Sequence, residues 1–529
     1  MVKKLALSAS ALALLLGGAL VPGLAAADTL ADAVALAYQT NPNIQAQRAA
    51  VRALDESYVQ ARAGFGVQAS GQIGSTYNYN ERDTTDILGR PGGEVKAKDY
   101  TDSRQLVIAQ TLYTGGRLTA RLNATEAQIK AGRESLRRAE LDLLTRVVAA
   151  YVGVRRDEAI LRVSEESAAA LAKMLQDSED KYSVRQVTLT DVEQSKARLA
   201  SARTQVANAK AQLSTSRAQY AAIVGQAPGT LEPEPDLQGL PDTLDSAFDL
   251  AEVNSPLILQ SVYTEAASRA RMAEAKAGRM PQVTGRLDWA YGPVAQYNDR
   301  LGNVENYTAS ITLSQPLYSS GQISSVIRQS VQENVRDQQL LDDARRNAVF
   351  GVSQSWDQLT LARDSLVSIE EEMRASAVAL YGVREEERFA LRSTIEILNA
   401  QQELLGAQIG FLRGRFNEYV GRVQLLANMG VLRPETLSAT TVAYDPTRNF
   451  NKVKWKGALP TEIVTRVLDL VSRPDLSTPV AGDTTPIRPA DAPISAAPVE
   501  AGKLAPLPSI LSLDDPSQIE APQTTAPKN

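Results

Sequence analysis

The eight residues QTLYTGGR at Gln110 to Arg117 return as QPLYSSGQ at Gln315 to Gln322, 315 − 110 = 205 positions later. Self-similarity at so long a period means one unit built twice, and any fold assigned to the chain must accommodate that. The likeness spreads outward. TLADAVALAYQTNPNI from Thr29 is answered by TLDSAFDLAEVNSPLI from Thr243, with Asn41-Pro42 against Ser255-Pro256. Downstream, Tyr151 answers Trp356, Asp191 answers Glu396, and AAIVG ending at Gly225 answers LANMG ending at Gly430. The early offset is 243 − 29 = 214, so the first copy carries 214 − 205 = 9 more residues between its strands. They fall in ERDTTDILGRPGGEVKAKD, whose Gly, Pro and Asp predict an exposed loop.

The N-terminus has Lys3 and Lys4, an apolar run from Leu5 to Leu20, a break at Pro22-Gly23 and small residues Ala25 to Ala27 before Asp28. This pattern predicts a signal peptide over 1–27 and export of the rest. The other reading, an anchoring helix, is disfavoured because the run falls short of the roughly 20 residues a span needs. No later apolar run reaches spanning length, so a helical membrane protein is not expected.

The 529 residues contain no Cys and no His, which removes disulfides, an N-terminal lipid anchor, thiolate catalysis, Cys/His metal sites and any Ser-His-Asp relay. No cofactor or metal site is predicted, and no enzyme, because nothing pairs a nucleophile with a base. A net charge of -5 without a basic block argues against nucleic acid. With aromatics at only 5%, and Ala, Leu, Arg, Glu, Gln and Ser in long stretches, extended helices are the first expectation.

Each copy reads as helix, strand, loop, strand, very long helix, break, helix. The predicted strands alternate with period two: Val283, Leu287, Trp289 and Tyr291 against Thr284, Arg286 and Asp288; Tyr307, Ala309, Ile311, Leu313 and Leu317 against Thr308, Ser310, Thr312 and Ser314. The first copy does the same, with Val67, Ala69 and Ile73, then Leu106, Ile108 and Leu112, as the apolar set. Such alternation fits a soluble half-buried sheet or a membrane barrel. Strands of about 10 to 15 residues, export, and aromatics near the predicted strand ends at Tyr77, Tyr79, Tyr113, Trp289, Tyr307 and Tyr318 favour the barrel. The repeated LYTGG and LYSSG then mark where an interfacial aromatic gives way to small residues that turn strand into helix. Pro316 falls inside the second predicted strand and predicts an irregular position.

Four strands cannot close a barrel in lipid, so the chain must assemble; three copies would supply 12 strands. From Arg117 to about Lys181, and from Gln322 to about Glu387, Pro is absent and apolar residues recur three or four apart, as at Ile323, Val326, Ile327, Val331, Val335, Val349, Val352, Trp356 and Leu359. Some 65 residues of helix make a rod on the order of 100 Å, enough to cross a periplasm-sized gap. Partner helices return over Leu189 to about Gly225 and Thr394 to about Gly430.

These features together resemble the TolC family of outer-membrane channel-tunnels: the duplication, the ADAVALAYQTNPNI opening, the strand ends QTLYTGG and QPLYSSG, and the helix breaks YSVRQVTLTDVEQSK and FALRSTIEILNAQQ. The opening and the breaks are most similar to the branch serving type I protein secretion. The resemblance implies a mainly α chain with a membrane β-barrel: a homotrimer whose four strands per protomer form a 12-strand barrel above a long periplasmic helical barrel. The repeats divide the chain into a first over 28–240 with strand pair 65–113 and a second over 241–432 with strand pair 282–318; the resemblance implies an equatorial segment over 433–473, and beyond Pro474, where Pro, Ala, Ser and Thr dominate without periodicity, a disordered tail is expected over 474–529.

It also implies a passive duct for exported cargo, docked by a periplasmic adaptor and an inner-membrane ABC transporter or other pump. At its periplasmic gate Arg392 matches the family's gate arginine, Glu396 the first acidic ring, and Glu387 the place of a gate tyrosine. Asn399 stands where a second acid often occurs, so cation binding at the entrance should be weaker than in relatives with both rings. From the residues alone, Arg392 and Glu396 read first as an i,i+4 pair on a solvated helix face. Asp191 and Glu193 are candidates for adaptor contact. Carriage of protein cargo is the leading expectation, small-molecule or drug efflux the alternative, and an adhesin-like envelope spacer the structural one.

Overall fold

A computed structural model describes residues 29–85, 88–295, 301–389, 391–438 and 441–470. The predicted signal peptide and the Pro-rich tail lie outside the described residues. The two copies appear in order. The first comprises α1 (Leu30–Thr40), α2 (Pro42–Ala63), β1 (Val67–Thr85), β2 (Pro91–Tyr113), α3 (Arg117–Ser183) and α4 (Leu189–Val224). The second comprises α5 (Leu244–Asn254), α6 (Pro256–Ala277), β3 (Gln282–Ala295), β4 (Leu301–Ser314), α7 (Gln322–Arg388) and α8 (Thr394–Asn428). Three short helices follow: α9 (Pro434–Leu437), α10 (Thr447–Val453) and α11 (Thr461–Leu470).

Local chemistry sets the boundaries. Asn41 ends α1 and caps α2, its side-chain oxygen accepting from the N–H groups of Asn43 and Ile44 while Pro42 takes the first helical position, where its missing N–H costs nothing. Thr188 opens α4 and Ser393 opens α8 through reciprocal capping boxes with Asp191 and Glu396. The motif shared by the two copies makes the strand-to-helix turn. Gly116 and Gly321 both adopt left-handed φ, 87° and 84°, and the preceding position is left-handed too, as Gly115 at 67° and Ser320 at 48°.

α3 and α7 each run 67 residues, about 100 Å at 1.5 Å per residue, and each packs antiparallel with its shorter partner, α3 on α4 and α7 on α8. α6 packs on both α3 and α7 and so stitches the repeats together. The main core lies where α1, α3, α4, α5, α7 and α8 meet, around Val147, Val148, Tyr151, Tyr220, Val352 and Val423. There the Tyr151 hydroxyl donates to the Glu232 carbonyl at 2.8 Å. Trp356, the counterpart of Tyr151, packs against the same core. Nearer the strands the expected apolar stripe of α7 is not what is buried. Val326 and Val335 are exposed, whereas Ser330, Asn334 and Asp337 face inward, because α6 presents Glu265 and Ser268, to which the Asn334 amide donates.

The strands form one antiparallel sheet in the order β1-β2-β3-β4, open at both edges. Register confirms the two faces. Trp289 stands between Leu106 and Tyr307, and Leu287 between Ile108 and Ala309, whereas Asp288 stands between Val107 and Thr308. Ile73, Tyr307, Ile311 and Leu313 are all at least two-thirds exposed on the apolar face, a surface that suits lipid and not water.

Three expectations about the strands need correction. The Gly/Pro/Asp-rich insertion is not mainly loop: β1 and β2 reach 19 and 23 residues and pair as far as Thr85 with Pro91, so the additional length extends a hairpin. Lys96 pairs with Glu81 across it at 2.7 Å, and it projects past Ala295, where β3 ends. Second, β4 ends at Ser314; Pro316, with no N–H to donate, lies beyond it, as does Tyr318, 87% exposed. Third, Trp289 and Tyr307 are mid-strand neighbours, while Tyr113 does lie at a strand end and Tyr77 and Tyr79 lie in the outer half of β1. Tyr77 stacks on Tyr100 with ring centroids 4.7 Å apart.

α9 packs on α1, α10 on α2, and α11 on β2 and α3, so the segment after α8 climbs along the first repeat toward the sheet. No helix among the described residues is long and apolar enough to cross a membrane.

Candidate functional site

The two long hairpins turn at the end remote from the sheet, and every predicted gate residue stands at those turns. α7 ends at Arg388, and Ser393 restarts the chain as α8 within five residues. Arg392 bridges that turn: its Nε donates to Glu386 at 2.6 Å and its Nη1 to Glu396 at 2.8 Å. Glu396 also accepts from the Ser393 hydroxyl at 2.8 Å. The Ser393 and Arg392 bonds hold the Glu396 carboxyl below its ordinary range, and the two carboxylates hold the Arg392 guanidinium above its own. Thus the i,i+4 pair exists, but as half of a three-member brace with Glu386, the side chains of all three being close to half exposed.

The other two predicted gate residues do not join Arg392. Glu387 points to the first hairpin and pairs with Lys181 in the last turn of α3. Asn399 likewise accepts from Arg198 on α4 at 2.9 Å, and the same guanidinium donates to Gln402. The tips of the two hairpins are therefore tied by a cation on the first and acceptors on the second, twice. Such charge-assisted contacts between half-buried and exposed groups are individually modest, so they can hold one arrangement and release it.

Above the tip a groove of about 840 Å³ separates α3 and α4 from α8, lined among others by Gln205, Asn208, Gln212 and Gln402. Its deepest charged group is Asp157. Burial alone would raise this carboxyl, yet bonds from Arg156 at 2.7 Å and from Ser216 and Gln212 outweigh burial and hold it below its ordinary range. Asp157 fastens α3 to α4 and is not free to meet cargo.

Asp191 is likewise occupied, accepting from the Thr188 N–H at 2.9 Å and hydroxyl at 2.7 Å as the cap of α4. Glu193 pairs with Lys196 three residues on, at 2.9 Å. Around them the tips expose Val184, Leu189, Phe389 and Leu391, an apolar surface at the remote end of a charged rod. Lys181, Arg198, Glu386 and Gln402 join the predicted residues at the tip. Glu386 is legible in the sequence, in the run REEER beside Arg392; the others meet partners more than two hundred positions away, which no local pattern announces. Among the described residues no group of three acidic side chains is placed to hold a metal ion.

The family model described as outer membrane efflux protein matches residues 33–226 and 247–430, one segment per repeat. The chain is 28% identical over 454 residues to the outer membrane efflux protein BepC of Brucella suis, covering 84% of this chain and 95% of that one. It is 20% identical over 431 residues to the outer membrane protein TolC of Escherichia coli, covering 79% and 85%. Among solved structures, CusC superposes with a TM-score of 0.66 at 16% identity over 76% of this chain and 92% of its own. VceC of Vibrio cholerae superposes with a TM-score of 0.64 at 17% identity, over 76% and 96%.

Proposed function

The chain belongs to the outer membrane efflux protein family, and on that premise we propose that it is a trimeric duct carrying protein cargo, delivered by an inner-membrane ABC transporter and a periplasmic adaptor, across the periplasm and outer membrane. It is a TolC-like outer-membrane efflux channel reaching into the periplasm, and not an enzyme. One observation carries the assembly: a four-stranded sheet, open at both edges, turns apolar side chains to one side and Gln, Ser, Thr and Arg to the other. Unpaired edges are not tolerated in lipid, so copies must close the sheet, and three give an even wall of 12 strands around a polar lumen.

Protein cargo is supported by the wording of the opening segment and helix breaks, and the tip supplies a gate in which Arg392, Glu387, Glu396 and Asn399 hold the second hairpin. Asp191 and Glu193 lie beside the apolar tip residues, where an adaptor would dock. Small-molecule efflux is the second reading, favoured by the name of BepC as an efflux protein.

The test compares culture-supernatant proteins from a deletion strain and its complemented parent, with drug susceptibility measured alongside. Loss of one or a few proteins from the medium with unchanged susceptibility supports protein secretion. An intact supernatant with a drug-sensitive strain overturns it in favour of efflux.

A further inference from the structure

The helix α11 buries its polar side and exposes its apolar one. Its buried side chains are Glu462, Thr465 and Asp469, while Ile463, Val464, Val467 and Leu468 are 66%, 61%, 56% and 45% exposed. A helix whose outer face meets water has the opposite arrangement. The polar side is fully employed: Asp469 accepts from Thr114, Gly116 and Thr119, Glu462 pairs with Arg62, and Thr465 accepts from the Gln110 amide at 3.0 Å. Polar bonds fix the helix, and its apolar face is left for something else.

Position identifies the occupant. Gln110 shares a face of β2 with Leu106 and Ile108, because side chains alternate and the register is regular between them. α11 therefore sits at the foot of the sheet on its outward apolar face, the face continued by Leu287, Trp289 and Ile311. The approach to α11 carries Lys452, Lys454 and Lys456, with exposed Trp455 among them, and both acids of α11 lie on its buried side. Interleaved Trp and Lys beside an apolar helical face suit the headgroup zone of an anionic phospholipid layer.

We infer that α11 is an interfacial helix lying in the periplasmic leaflet of the outer membrane, its apolar face among the upper acyl chains and its Lys/Trp approach at the phospholipid headgroups. The inference rests on the outward face of the sheet meeting lipid. It assigns the segment after α8 a membrane contact beyond the barrel wall.

Because the chain has no Cys, single cysteines report unambiguously. The full-length protein carrying Val464→Cys or Val467→Cys, labelled with bimane, is reconstituted in vesicles of phosphatidylethanolamine and phosphatidylglycerol. Quenching by shallow nitroxide-labelled lipid is compared with quenching by iodide; Gln238→Cys in the exposed α4–α5 connection is the aqueous reference and Ile311→Cys the barrel reference. Both α11 labels should be quenched by the lipid nitroxide severalfold more than the label at 238, and shielded from iodide. Iodide quenching equal to that at 238 would mean a face in water and overturns the inference, as would shielding from both quenchers, which means that a neighbouring protomer covers the helix. If the label at 311 also escapes the lipid quencher, the barrel reading falls with it.

Discussion

Lys181 in the last turn of α3 and Glu387 in the last turn of α7 form an ion pair across 206 positions of sequence. With the Arg198 bonds to Asn399 and Gln402, this pair fixes how the second hairpin leans on the first. In the gate proposed above, opening the tip would break these contacts. Lys181→Ala or Glu387→Gln should therefore raise the open population, read as single-channel conductance in planar bilayers. Lys181 and Glu387 are 39% and 19% exposed, so solvent screening limits the pair to about 0.5–1 kcal/mol, roughly a two- to fivefold shift per protomer. The charge-swapped double variant, Lys181→Glu with Glu387→Lys, should return conductance toward the parent; a swap as leaky as the single variants would refute a pairing role.

Arg392 supplies the positive charge of its brace with the carboxylates of Glu386 and Glu396. Arg392→Ser leaves Glu386 and Glu396 uncompensated at the turn, so conductance and cation selectivity should both rise, and both effects should shrink in high salt. Reversal potentials across a salt gradient measure this, and unchanged conductance and selectivity would remove Arg392 from the gate.

The Asp469 carboxylate ties α11 to the first strand-to-helix turn through five bonds of 2.7 to 3.1 Å, from the N–H and hydroxyl groups of Thr114 and Thr119 and the N–H of Gly116. Burial acting alone would raise its pKa, but the bonds from Thr114, Thr119 and Gly116 outweigh burial and lower it. Since the folded value lies below the unfolded one, the stabilisation is complete above about pH 4 and is lost as pH falls through the folded value. Proteolysis between α10 and α11 should accelerate only in strong acid. Asp469→Asn, which loses charge assistance, should weaken docking by about 2–3 kcal/mol and give the same cleavage at neutral pH.

The two copies of the turn should respond differently to mutation. A Cβ on Gly115 would stand 2.2 Å from the Met280 Cβ, whereas its counterpart Ser320 already carries a side chain and is exposed. Gly115→Ala should cost roughly 2–4 kcal/mol, from overpacking together with left-handed strain, and reduce trimer yield. Ser320→Gly relieves that strain and should stabilise by about 1 kcal/mol. Thermal unfolding in detergent compares them, and equal effects at the two turns would contradict the packing described.

Leu380 is fully buried between α7 and α8 near the tip, in a small cluster with Ile397 and Leu404. Leu380→Ala should cost about 2–5 kcal/mol. Hydrogen exchange should rise in the lower half of the second hairpin and remain unchanged in the core around Tyr151; uniform protection across both regions would show that the hairpin does not depend on this cluster.

The sequence by itself determined the backbone of this protein. Capping at Asn41, Thr188 and Ser393, left-handed residues after Tyr113 and before Gln322, two Pro-free runs and period-two alternation are local instructions, and the elements begin and end where those instructions stand. Duplication added the order of the elements and the need for copies to close the sheet. The tertiary structure decided which side chains meet. Glu387 faces Lys181 and not Arg392, Asn399 faces Arg198, and the turn at Gly115 is buried beneath Asp469 while its counterpart at Ser320 is open. The physical reason is range. Backbone preference is set by a residue and its near neighbours along the chain, whereas a side chain's partner depends on how whole helices pack, and only there do equivalent positions of a duplicated chain acquire different surroundings.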